Sequence, residues 1–175
     1  MSFIRGYDQE NLRELVDLSE CAVRLEEIEG QRSLPALLER VWLLKVLGRL
    51  DEALTLADEA VRQARMAGTR KDLLRARVLH ATIQQYRGQH AAADQELAMC
   101  AEEAEGQGWI SIAAFAHQHH GKNAFDAEDY DTARESFKRS LFLRREAGAA
   151  DRDLETVLLA IDATERRRTS QLVVG

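Results

Sequence analysis

Two series of small residues repeat every 40 positions in this chain, and they keep one register. Ala53, Ala93 and Ala133 close the segments GRLDEA (48–53), GQHAAA (88–93) and EDYDTA (128–133). Gly68, Gly108 and Gly148 follow the same interval. Self-similarity at such a period marks stacked repeats, because one unit cannot bury its apolar face alone and stacking neighbours does so. The expected fold is therefore all-α, a solenoid of antiparallel helix pairs. The single proline, Pro35, and the abundance of Ala, Leu, Glu, Arg and Gln favour helices throughout.

The expected organisation follows from these landmarks. Residues 1–32 form an N-terminal capping helix, covering roughly 9–29 behind Asp8 and ended by Gly30. Its apolar stripe is Leu12, Leu15, Val16, Ala22, Val23, Leu25 and Ile28. Three repeats occupy 33–69, 70–108 and 109–148. Ser33 opens the first, with Pro35 tolerated in the first turn. Thr69 and Asp72 make a capping box for the second. Ala53, Ala57, Ala60 and Ala64 let a return helix approach closely, as do Ala93, Leu97, Cys100, Ala101 and Ala104 in the next repeat. Residues 149–175 form a C-terminal capping helix behind Asp151, with a fraying tail, RRRTSQLVVG.

Several function classes lose support. A net charge of −6 argues against duplex nucleic acid, whose affinity comes from Lys and Arg neutralising phosphates. No secretory h-region opens the chain and no apolar run spans a membrane, so a cytoplasmic protein without membrane partners is expected. Cys21 and Cys100 lie inside helical patterns and read as reduced, half-buried thiols. There is no GxSxG, P-loop or GxGxxG, so no enzyme and no cofactor is expected. The run His117-Gln118-His119-His120, with His80 one repeat earlier and Cys100, is chemically suited to zinc. Without HExxH or CxxC beside it, the expectation is no metal but a polar seam between helices, each histidine bonded to a carbonyl or water, with a pH-sensitive seam as the alternative. Arg166–Arg168 reads as a solvated helix end.

The residues that carry most information are Gly121 in one helix and Ala133-x-x-x-Phe137 in the next. With the weaker pairs Ala93/Leu97 and Ala53/Ala57, they resemble tetratricopeptide repeats, whose signature joins a small residue in helix A to A-x3-F in helix B. The resemblance covers about 33–148, the last helix serving as a half repeat. It departs from the common 34-residue period and lacks the closing proline, so it is similar to the longer variant found in kinesin light chains and bacterial regulators. Leu37, Arg77 and His117 stand where the family places its Trp.

The resemblance implies a right-handed superhelix whose A helices line a concave groove. It implies groove positions for Leu38, Trp42 and Lys45; for Arg75, Val78, Thr82 and Gln85; and for Phe115, Gln118, Lys122 and Phe125. The competing reading makes Trp42 and Phe125 core residues. Leu38 and Trp42 stand where a carboxylate clamp would need Lys and Asn, so that clamp is not expected. The implied function is a non-enzymatic protein- or peptide-binding adaptor acting through the groove. The alternative is a peptide-sensing regulator that changes curvature on binding a signalling peptide and acts on another protein. Association into a homodimer stays open.

Overall fold

The computed structural model describes residues 3–174, without the side chains of Leu172 and Val174. Eight α-helices follow a short hairpin among the described residues: β1 (Ile4–Tyr7), β2 (Glu14–Val16), α1 (Leu18–Glu27), α2 (Leu34–Val46), α3 (Leu50–Ala67), α4 (Arg70–Tyr86), α5 (His90–Gly106), α6 (Ile110–Asp126), α7 (Tyr130–Glu146) and α8 (Asp151–Val174). No helix among the described residues is long and apolar enough to cross a membrane.

The turns explain the repeat. Gly48, Gly88, Gly108 and Gly148 all have φ between +66° and +75°, and Glu128 has φ +62°. Around each, the same two backbone bonds form. At the first, the Gly48 N–H donates to Lys45 O at 3.1 Å and the Arg49 N–H reaches back to Leu44 O at 2.9 Å. At Glu128 the pair is Glu128 to Phe125 O at 3.1 Å and Asp129 to Ala124 O at 2.9 Å. These bonds satisfy orphan carbonyls at a helix end, and they need a left-handed residue that is ordinarily glycine. Gly68 is the exception. It is extended (φ −91°, ψ 173°), and α4 instead starts from the reciprocal Thr69/Asp72 box.

Two expectations at the ends fail. The N-terminal helix does not begin near residue 9. An antiparallel pair, β1 with β2, takes its place, with an irregularity between Ile4 and Gly6. The Asp8 N–H donates to Arg13 O at 2.9 Å, and the helix starts at Leu18, where Asp17 accepts from the Ser19 and Glu20 N–H groups at 2.9 and 3.0 Å. Within β2, Glu14 and Val16 face inward while Leu15 is 49% exposed, which is strand alternation. At the other end, α8 runs on through the RRRTSQLV run instead of fraying. The arginine run is tied down as well: Arg166 pairs with Asp162, Arg167 with Glu10 at 2.9 Å, and Arg168 with Asp131 at 2.5 Å.

The chain divides into two compact units, residues 3–8 with 13–89 and residues 9–12 with 90–174. The division falls inside the expected second repeat, between its two helices. The core of the first unit joins Cys21, Leu25 and Ile28 of the α1 region to Val41, Leu43 and Leu44 of α2, Ala53 and Ala57 of α3, and Ile83 of α4. The core of the second joins Leu12 to Ala124 and Phe125 of α6, Ala133, Phe137 and Leu141 of α7, and Val157, Ala160 and Ala163 of α8. A Cβ added to Gly121 would sit 2.7 Å from two ring carbons of Phe137, so α6 and α7 meet where only glycine fits.

Candidate functional site

In the first unit, Lys45 is the centre of a buried polar assembly. Its side chain lies in the last turn of α2 and is 2% exposed. Nζ donates to both carboxylate oxygens of Glu14 at 3.4 Å, and Glu14 itself is 7% exposed. The Tyr86 hydroxyl, at the end of α4, donates to Glu14 Oε2 at 3.1 Å. Aromatic faces complete the cation's surroundings: Nζ is 4.9 Å from the Tyr86 ring centre and 5.9 Å from that of Trp42. The Arg13 guanidinium also lies over Tyr86, at 4.1 Å. Phe3 packs on Trp42 with ring centres 6.2 Å apart. A pocket of about 280 Å³ opens beside this group, lined by Arg13, Glu14, Lys45, Val46, Gly48, Leu50 and Tyr86.

The remaining candidates in this unit divide by exposure. Leu38 and Trp42 are half-buried, while Val78, Thr82 and Gln85 are buried in α4. The Thr82 hydroxyl is turned back onto Leu79 O at 2.7 Å. Arg75 is exposed and pairs with Asp72 at 3.6 Å. Tyr86, Arg13 and Glu14 were not anticipated at the site. Tyr86 has the spacing of its helix's apolar stripe, with Ala76, Leu79 and Ile83, a signal for the core and not for this site. Glu14 carried none, since its link to Lys45 spans 31 residues.

In the second unit, Phe125 belongs to the core with Leu12 and meets Tyr130 edge-on at 5.5 Å. That is the core alternative for Phe125. Phe115 is half-buried against His119, ring centres 4.5 Å apart. Lys122 and Gln118 are buried, and Gln118 accepts from Arg144.

The histidines of this unit form a seam that ties α6 to α5 and α7. The His117 Nε2–H donates to Glu105 Oε1 at 2.6 Å, and Arg139 of α7 grips the same carboxylate. Arg139, and then His117, hold the Glu105 carboxyl down at about 2. Burial pushes the His117 imidazole below its ordinary value, against the pull of Glu105. The cause is visible in the geometry: Nδ1 is buried without a hydrogen-bond partner, so a second proton would be stranded there. The His120 Nε2–H donates to Asp94 at 2.7 Å, and its Nδ1 accepts from the Ser136 hydroxyl at 3.0 Å. His90 and Asn123 exchange two bonds, at 3.1 and 3.0 Å. In the first unit His80 faces Asp58 at 3.2 Å.

The contacts of Ser136, His120 and Asp94 have the order of a nucleophile, base and orienting acid. Ser136 nevertheless sits mid-helix, where backbone N–H groups are committed to the helix and cannot receive an oxyanion. Among the described residues no group of three or more His, Cys, Asp or Glu is placed to hold a metal ion.

No protein-family model matches the sequence, and no curated protein matches it. Among solved structures, the chain is similar to BtubC (BKLC) from P. vanneervenii. The TM-score is 0.57 at 15% sequence identity, covering 87% of this chain and 72% of that one. A likeness at that identity concerns the fold, an arrangement of helices, and transfers no function.

Proposed function

We propose that the chain is a non-enzymatic protein- or peptide-binding module, built as a tetratricopeptide-like solenoid and acting as an adaptor. One observation carries the reading. The first unit's α2 and α4 already hold an extended segment of polypeptide, residues 14–16, through a buried carboxylate on Lys45 and Tyr86. A helix surface that binds one extended segment has the chemistry to bind another. Trp and Tyr, here Trp42 and Tyr86, are also among the residues enriched in binding hot spots. The 40-residue register and the Gly121–Phe137 contact support the repeat family.

The test uses the full chain as bait to identify a partner, followed by calorimetry of that partner against Trp42→Ala. Loss of an anchor should weaken binding by about 2 kcal/mol or more if Trp42 is a hot spot. Unchanged affinity, in a variant whose circular dichroism matches the parent, would place the partner elsewhere and sink this face as the binding surface, and a bait that retains no partner would sink the binding-module reading.

A further inference from the structure

We propose that the α2–α4 face of the first unit is a docking surface for an extended segment with the pattern acidic–any–aliphatic, and that the chain's own Glu14-Leu15-Val16 occupies it in cis until such a segment displaces it. The inference rests on the peptide-binding reading above and gives that reading a partner chemistry.

The pattern comes from the occupant. Glu14 and Val16 lie two residues apart on one strand, so they face the same side. Glu14 enters the Lys45–Tyr86 assembly, Val16 packs against the apolar core of the unit, and Leu15 turns outward. The receptor side belongs to the helices: an ammonium, a phenolic hydroxyl, and the faces of Tyr86 and Trp42. Phe3 on Trp42 and Arg13 on Tyr86 are further contacts of the N-terminal segment with these groups. An incoming carboxylate would find the same donors.

Two features make residues 14–16 exchangeable. They are held in a two-stranded pair of four and three residues with an irregular register, and such pairs are marginal on their own. Exchanging one carboxylate for another also conserves the buried ion pair, so the desolvation of Lys45 need not be repeated. The pocket of about 280 Å³ beside Glu14 leaves room for an entering group. Tethering gives the cis segment an effective concentration on the order of millimolar. A free peptide making the same contacts must therefore compete at that level, unless the tethered copy is weakened.

The experiment uses the full chain and a fluorescein-labelled synthetic peptide of residues 8–18, read by anisotropy. The double variant E14Q/V16S should bind this peptide at least tenfold more tightly than the parent. Adding K45M to it should abolish the gain, and a probe peptide with Gln at its Glu14 position should bind no better than background. Equal binding by parent and E14Q/V16S, or none by either, overturns the proposal. Dimerisation of E14Q/V16S without peptide uptake, seen by sedimentation, also overturns it by making a second copy the occupant. If E14Q/V16S does not fold, hydrogen exchange of the parent decides instead. The amides of β1 and β2 should exchange well ahead of α2 and α4, and exchange only in step with those helices overturns the idea. A captured partner that depends on Trp42 but ignores the peptide would leave the binding-module reading standing while this inference falls.

Discussion

In the first compact unit, α2 contributes Val41 and α3 contributes Ala57 to the core. Eighty residues later, in the second unit, the same register positions hold Gly121 on α6 and Phe137 on α7. One helix pair is filled from the A side with a small B residue, and the other from the B side with no A side chain at all. The turn positions differ in the same spirit. Gly48 is free to be left-handed, whereas Glu128, also eighty residues on, is held there at a cost. So do the positions of Lys45 and Phe125: a cation paired with Glu14 in one unit, an aromatic clustered with Leu12 in the other. Register is retained while side-chain volume and charge are redistributed, which cores permit when total volume is kept.

The largest effect should come from reversing one solution. Phe137→Ala should cost about 3–5 kcal/mol, and Gly121→Val in the parent on the order of 3 kcal/mol, through overlap with the ring. In the Phe137→Ala background Gly121→Val should instead stabilise, because the pair then resembles Val41/Ala57. Urea denaturation of the four proteins gives the coupling. Additive losses would mean that these two positions do not share one space.

Where the units agree, they should respond alike. Ala53 and Ala133 are both fully buried. Ala53→Leu and Ala133→Leu should each cost about 1–3 kcal/mol by overpacking. An unchanged denaturation midpoint in either variant would detach that alanine from the helix contact.

A smaller change of opposite sign is expected at the turns. Glu128→Gly should stabilise by roughly 0.5–1 kcal/mol, less the entropy that glycine adds to the unfolded chain, and Gly88→Glu should lose about 1 kcal/mol. Thermal melts of the two variants moving in the same direction would refute the strain at Glu128.

The smallest effect is the pH response of the second unit. The His117 imidazole is held low in the fold, so its contribution is complete above the unfolded value near 6.5 and is lost as pH falls below it. Glu105, held at about 2, contributes fully above its ordinary 4.5 and loses that contribution as pH falls toward 2. Both act in the same direction, lowering the melting temperature on acidification in two windows. His117→Gln should flatten the upper window and leave the lower one, where Arg139 still grips Glu105. A melting profile that stays flat from pH 7 to 5 in the parent would remove the seam's sensitivity.

Much of the helical register was legible because it is local and periodic. Gly121 and Phe137 fall on matching positions of the tetratricopeptide signature that the chain resembles, and the Thr69/Asp72 box lies within one turn. The N-terminus misled for a physical reason: Leu12, Leu15 and Val16 have helical spacing, yet their sides are set by strand pairing and by a left-handed Leu12. The resemblance to tetratricopeptide repeats implied a groove position for Lys45. Its burial depends on Glu14, a partner that no local pattern announces. The histidine seam was visible as a face of α6, whereas its carboxylates on α5 follow only from the packing.

The hairpin turn has a consequence for the order of assembly. Most turns in this chain close through bonds spanning three and five residues, so helix pairs can form as soon as they are synthesised. Leu12 and Glu10 are different. Leu12 shares its cluster with Val157, and Glu10 meets Arg167 across 157 positions of sequence. On a ribosome, the second unit must wait for its final helix before this corner can close. Through that interval Leu12 and the apolar faces of α6 and α7 that it joins stay accessible to whatever the cell presents to a nascent chain.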